Sequence, residues 1–242
     1  MNYVLVLSDE LTLVVDKMIH SVLQHCDCKI LFHAISFSDK DKATVEKWNN
    51  RIEFYDVIQS KWDDRRMLCR IECLAGTKFS AGDKVFVLDT DMLVQADIFE
   101  DLPKGDVYIT SRHYPYWYPI NGGTVGFNYN KRSKQFIDFR FEQGLNPTWT
   151  PYVKFRKKFD RGRGFDWWCD QDMLCTVHEN LLPFECHVTD LGPKYNFCPS
   201  VEFNIPDSFD KARKEILEAI GRPEYKILHF KGKLKEVLEK EV

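Results

Sequence analysis

Short apolar runs alternate with stretches of helical period through the N-terminal half of the chain, and that alternation constrains the fold more tightly than any other feature. Tyr3–Leu7 is an apolar run closing at Ser8-Asp9, the pattern of a parallel strand buried on both faces. Leu11–Gln24 then carries apolar residues at helical spacing. A strand over "KILFHAIS", a helix over Lys40–Trp48, a strand over "RIEFYDV", a helix over Asp64–Ala75 and a strand over Lys84–Leu88 follow. Strands alternating with helices predict an α/β fold with a mixed, mostly parallel central sheet flanked by helices. Ligands of such sheets bind beyond the carboxyl ends of the strands. Ser8-Asp9 and Asp89-Thr90-Asp91 both stand at such ends, so these loops are expected to converge on one crevice.

The C-terminal half is less regular. Asp106–Thr110 and Thr124–Asn130 read as strands, Arg132–Gln143 as a helix, Asp170–Glu179 as another, Asp210–Ile220 as a third and Lys226–Phe230 as a last strand. "ADIFEDL" suggests a short helix capped by Asp97. Asn146–Trp168 shows no clean period and holds six basic residues between Lys154 and Arg163. Its part from Thr150 to Phe165 is expected to be a mobile flap. A chain of 242 residues can bury one substantial core. The expectation is one domain over residues 1–242, with a first half, 1–102, that ends just past the Asp89-Thr90-Asp91 motif, and a second half, 103–242.

Charge narrows the partners. Thirty-four basic against 37 acidic residues give a net charge of −3, which supplies no global field for nucleic acid. The N-terminus lacks a basic leader and carries Asp9 and Glu10 within its apolar region, and no apolar run reaches the roughly 20 residues of a membrane span. The reading is therefore a cytoplasmic protein without a transmembrane segment. The eight cysteines are read as reduced thiols. Cys26 and Cys28 near His20, His25 and His33 lack the paired knuckles of a zinc site and are read as scattered residues.

Asp89 and Asp91 pose a physical problem that a cation solves. Carboxylates this close repel, and a desolvated charge is costly without a partner. At the end of a strand, residues i and i+2 can aim both carboxylates at one point and offer hard oxygen ligands to Mg²⁺ or Mn²⁺. The same letters suit a phosphatase of the haloacid dehalogenase type, but Leu93 stands where that motif has threonine and the strand comes late in the chain.

Five segments taken together are similar to the family 8 retaining glycosyltransferases, the glycogenin and bacterial galactosyltransferase group with the Rossmann-like GT-A fold. They are the N-terminal strand ending in Ser8-Asp9, "CRIECLAGTKFSAGDKVFVLDTDMLVQADIFEDL", "INGGTVGFN", "CDQDMLC" and "LHFKGKLK". The resemblance implies a metal-dependent transfer of a hexose from a nucleotide sugar, UDP-glucose or UDP-galactose, with retention of anomeric configuration. The acceptor would be a carbohydrate, a lipid-linked sugar or a protein. It assigns Asp89, Asp91 and His229 to the metal, and an imidazole beside carboxylates suits Mn²⁺ better than Mg²⁺. Ser8, Asp9, Arg70 and Thr90 would face the donor, and Gly232 and Lys235 its diphosphate. Asn121, Gly122 and Gly123 would face the sugar, as would Asp170 on its hydroxyls and Gln171 near the anomeric carbon, the last two being the catalytic candidates. The chain departs from the family pattern at Gly122, often Ala or Ser there, and at Cys175, usually Asn. A non-catalytic nucleotide-sugar-binding protein is the remaining alternative. Tyr114, Tyr116, Trp117 and Tyr118 offer faces on which sugar rings could stack.

Overall fold

The computed structural model describes residues 1–45, 47–57, 66–112, 119–159, 171–199 and 207–242. Asp170, the aromatic residues Tyr114 to Tyr118 and the Asp160–Phe165 end of the expected flap lie outside them. The elements are β1 (Asn2–Ser8), α1 (Leu13–His25), β2 (Lys29–Ile35), α2 (Asp39–Val45), β3 (Ile52–Val57), α3 (Arg66–Gly76), β4 (Lys84–Leu88), β5 (Met92–Val94), β6 (Val107–Ile109) and β7 (Thr124–Asn128). They continue with α4 (Lys131–Leu145), α5 (Thr150–Phe159), α6 (Gln171–Glu179), β8 (Val188–Asp190), α7 (Ser208–Ala219), β9 (Ile227–His229) and α8 (Lys235–Glu241).

A seven-stranded sheet in the order β3-β2-β1-β4-β7-β6-β8 forms the centre. The first four strands are mutually parallel, β7 runs antiparallel to both β4 and β6, and β8 is parallel to β6. This is the mixed α/β sheet that the alternation predicts. β1, β2 and β4 have both faces covered, while the edge strand β3 leaves Tyr55 and Asp56 exposed. Val4, Val6, Ile30, Phe32, Phe86 and Leu88 pack against Val15, Met18, Ile19 and Val22 of α1. On the opposite face Leu5, Leu31, Val85 and Val87 meet Leu74, Phe136, Tyr152, Phe155 and Leu174 from α3 to α6. Burial on both faces is why the strands read as unbroken apolar runs.

Local chemistry fixes the helix ends. Thr12 caps α1 by accepting from the Val15 amide, and α4 opens on a reciprocal capping box between Asn130 and Ser133. Three expectations are corrected. "ADIFEDL" is a series of turns rather than a helix: the carbonyls of Asp97 and Glu100 accept from the buried Lys226 Nζ at 2.6 and 2.7 Å, and Asp97 Oδ1 accepts from the Phe99 amide at 2.9 Å. The stretch expected as a flap instead begins with helix α5, which buries Tyr152 and Phe155 and turns Lys154, Lys157 and Lys158 outward. Lastly, β5, β8 and α8 were not expected, each being too short for its period to show.

No described helix is long and apolar enough to cross a membrane. None of the seven described cysteines forms a disulfide, and among the described residues the cysteines and histidines of the N-terminal third do not gather into a metal-binding group.

Candidate active site

The site begins where β4 runs out. The Asp89 amide donates to the Gly123 carbonyl at 2.9 Å, tying the strand end to the start of β7. Two residues on, β5 pairs antiparallel with β9 in a separate two-stranded sheet that sets Met92 opposite His229 and Leu93 opposite Leu228. The Phe230 amide also donates to the Asp91 carbonyl at 2.8 Å. Pairing of β5 with β9 is thus what carries the histidine from the far end of the chain to the aspartates.

The side chains then converge. His229 Nε2 lies 3.1 Å from Asp91 Oδ1 and 3.9 Å from Asp89 Oδ2. One ligand atom from each of Asp89, Asp91 and His229 falls within 4.8 Å of the others, and among the described residues no other group of this kind occurs. Two carboxylates and an imidazole are a donor set that fits a divalent cation of the Mn²⁺ or Mg²⁺ type.

Cations of the protein flank this group on both sides. Arg70, buried in α3, donates to Asp89 Oδ1 and, through its other terminal nitrogen, to the Gly122 carbonyl at 2.8 Å. Lys235 Nζ is 3.3 Å from Asp91 Oδ2 and half-exposed. Burial alone would raise the Asp91 carboxyl, but His229 and Lys235 outweigh it and hold that carboxyl below the ordinary carboxylate range. Lys235 is carried by a tight turn at Gly232, whose φ of 63° lies in the left-handed region, and by α8, anchored through Val237 and Leu238.

The "NGG" stretch forms the wall beside the cations. Asn121 is buried, with its Oδ1 accepting from the Gly123 amide at 3.0 Å and its Nδ2 lying 3.3 Å from His229 Nδ1. Gln171 opens α6 and donates from Nε2 to the Ile120 carbonyl at 2.6 Å; a Cβ on Gly122 would meet its Cβ at 3.4 Å. One turn later the thiol of Cys175 points at the same carbonyl, and burial pushes it up to about 12. Ser8 ends β1, and its hydroxyl donates to the Glu10 carbonyl at 2.7 Å. The register pairing Val6 with Leu88 puts Ser8-Asp9 at the same sheet edge as Asp89 to Asp91.

The structure therefore links Arg70, Asp89, Asp91, Asn121, Gly122, Gly123, His229 and Lys235 through direct contacts, with Gln171 against Gly122 and with Ser8, Asp9 and Thr90 on the adjoining loops. Asn196 and Thr110, both buried beside the histidine, were missed. Asn196 sits in a stretch without period, and only its placement against β9 marks it.

No family model and no curated protein matches this sequence. Solved structures do match it in fold. The glycosyltransferase GlyE of Streptococcus pneumoniae TIGR4 aligns at 16% identity and a TM-score of 0.61, over 96% of this chain and 55% of GlyE. The chain thus spans about half the length of that protein. The galactosyltransferase LgtC, solved with donor and acceptor sugar analogues, aligns at 16% identity and TM-score 0.56, over 96% of this chain and 87% of LgtC. Mouse xyloside xylosyltransferase 1 aligns at 13% identity and TM-score 0.60, over 97% and 99% of the two chains. The sheet order, the flanking helices and these alignments define the GT-A fold of the glycosyltransferases.

Proposed function

We propose that this chain is a glycosyltransferase that moves a hexose from a UDP-sugar to an acceptor hydroxyl with retention of configuration, and that it works with a divalent cation, Mn²⁺ or Mg²⁺. The observation carrying this reading is the Asp89, Asp91 and His229 group at the strand ends of a GT-A fold, bracketed by Arg70 and Lys235. Breaking a glycosyl–phosphate bond leaves a diphosphate that gains negative charge. A divalent ion at that group would neutralise part of it, an effect that grows as water is excluded.

In this reading Arg70 holds Asp89 in place, and Gly232 and Lys235 face the diphosphate. Ser8, Asp9 and Thr90 line the nucleotide side. The strand-end wall of Asn121, Gly122 and Gly123 borders the sugar, with Asp170 on its hydroxyls and the Gln171 side chain beside the anomeric carbon. The leaving phosphate takes the acceptor's proton as the acceptor attacks from the same face. The likeness in fold to LgtC and to xyloside xylosyltransferase 1 supports sugar transfer over phosphate ester hydrolysis.

The test is a thermal-shift comparison of UDP-hexoses, other nucleotides and phosphate monoesters, each with and without Mn²⁺. A ligand that binds only the native state at a hundred times its Kd adds about 2.7 kcal/mol, roughly 5–10 °C for a chain of this size. A UDP-selective shift that requires Mn²⁺ and vanishes in Asp91→Asn is expected, with donor hydrolysis or transfer to follow. A shift without nucleotide selectivity, or an unchanged Asp91→Asn, would overturn the assignment; binding without turnover would leave an inert nucleotide-sugar binder.

A further inference from the structure

Three buried polar side chains, Thr110, Asn196 and Asn121, lie behind the candidate ligand His229, and the hydrogen-bond directions can be counted from a fixed end. The fixed end is the backbone. Thr110 Oγ1 lies 3.1 Å from the Asn121 carbonyl and 3.4 Å from the Thr124 carbonyl, and carbonyl oxygens only accept. The hydroxyl proton is spent there, so Oγ1 meets its next neighbour as an acceptor. That neighbour is Asn196, whose Nδ2 donates to it at 3.1 Å. The Asn196 amide is thereby oriented with Oδ1 toward His229 Nδ1, 3.0 Å away.

Backbone pairing holds Asn196 in that position. The Phe197 amide donates to the Ile227 carbonyl and the His229 amide to the Phe197 carbonyl, each at 2.9 Å, so the segment carrying Asn196 runs beside β9 as a further, parallel neighbour. Asn196 and His229 are each 1% exposed, so solvent does not compete for these groups.

We propose that Asn196 is a positioning residue that keeps a proton on His229 Nδ1 and thereby presents the Nε2 lone pair to a cation shared with Asp89 and Asp91. This rests on the metal site proposed above. An imidazole ligand binds a metal through one nitrogen while its other N–H is held by an acceptor, which fixes both tautomer and ring orientation. Two contacts oppose the assignment while no cation is bound: Asn121 Nδ2, fixed by the Gly123 amide on its Oδ1, lies 3.3 Å from the same Nδ1, and the Asp91 carboxylate, 3.1 Å from Nε2, accepts a proton there until a cation takes its place. Once a cation occupies the carboxylates, the shorter of the two Nδ1 contacts takes the proton, and the Thr110 hydroxyl dictates its direction. Without Asn196 the Asn121 amide would take over Nδ1 and place the proton on Nε2, where it excludes a cation.

Two measurements test this. In protein loaded with diamagnetic Mg²⁺ and labelled with ¹⁵N-histidine, long-range ¹⁵N–¹H correlation should show His229 protonated at Nδ1 and bare at Nε2. Mn²⁺ titration, followed by the electron paramagnetic resonance signal of the free ion, should show affinity falling 10- to 100-fold in Asn196→Leu. Asn196→Asp, which keeps the acceptor oxygen, should stay within about threefold of the native protein. An unprotonated Nδ1 in the Mg²⁺-loaded native protein, or native-like Mn²⁺ affinity in Asn196→Leu, would overturn the proposal. Should Asn196→Leu fail to fold, the native spectrum and the Asn196→Asp titration still decide it. Native protein that binds neither Mn²⁺ nor Mg²⁺ would overturn the metal reading, and with it this use of Asn196.

Discussion

A methyl group on Gly123 would sit 2.6 Å from Met92 Cε, 2.7 Å from His229 Cε1 and 2.8 Å from Asp89 Oδ2. The methionine end can yield, but the imidazole and the carboxylate are the proposed ligands, so relief at Gly123 means displacing one of them. Gly123→Ala should therefore cost about 1–3 kcal/mol in stability and lower Mn²⁺ affinity at least tenfold, read by urea unfolding and by metal titration. Gly122→Ala is the control: its Cβ meets only Gln171, at 3.4 Å, and stability and metal affinity should stay near native. The pair shows what was legible at this scale. "NGG" signals a turn, and a turn forms there, yet Gly123 is needed for space beside the site. Asp89, Asp91 and His229 were legible because their residue types carry the chemistry. Asn196 and Thr110 were not, because an asparagine or threonine acquires its meaning only from a partner that the sheet brings to it.

At the scale of elements, the strands buried on both faces and the longer helices were legible from period alone, whereas Thr150–Phe159 was not. With Tyr152 and Phe155 as its fully buried positions and basic residues filling the outward side, its apolar stripe is too thin to register. Pro151 in its first turn, where a missing amide costs nothing, reads in sequence as a breaker. The packing gives a direct test that α5 is a fixed helix and no flap: Phe155→Ala should lower the unfolding free energy by about 3–5 kcal/mol, whereas a detached segment would lose almost nothing. Because α5 packs on α6, which opens at Gln171, its outward charges border the acceptor side in the proposed function. Replacing Lys154, Lys157 and Lys158 with Gln should raise the KM of an anionic acceptor several-fold and flatten its salt dependence, with donor hydrolysis unchanged. Unaltered acceptor kinetics would leave these lysines as a solvated face.

The whole molecule divides between a half in which sequence neighbours are spatial neighbours and a half in which they are not. β1 to β4 form the parallel half, and its order follows from the βα alternation. In the other half β8 pairs with β6 across a long stretch of chain, and β9 leaves the main sheet to pair with β5; nothing local announces either pairing. One consequence of burying β2 on both faces can be read from global stability. His33 lies within β2, buried and stacked on Tyr55 at 4.8 Å, and its Nε2 has no hydrogen-bond partner among the described residues. Burial lowers it from the ordinary 6.5 to about 4. The native state thus holds this imidazole neutral at pH values where the unfolded chain protonates it, so unfolding takes up a proton and stability falls as pH drops through 6.5. The loss runs from about pH 6.5 down to about pH 4, below which both states are protonated, and totals about 3 kcal/mol at 1.36 kcal/mol per unit. His33→Phe keeps a ring against Tyr55 and removes the titration. Between pH 7 and pH 5 in urea, native protein should lose roughly 2 kcal/mol more unfolding free energy than His33→Phe, with the carboxylates common to both cancelling in the comparison. Parallel pH profiles for the two proteins would mean that the imidazole is solvated or paired in the native state and that this part of β2 is not the closed strand described.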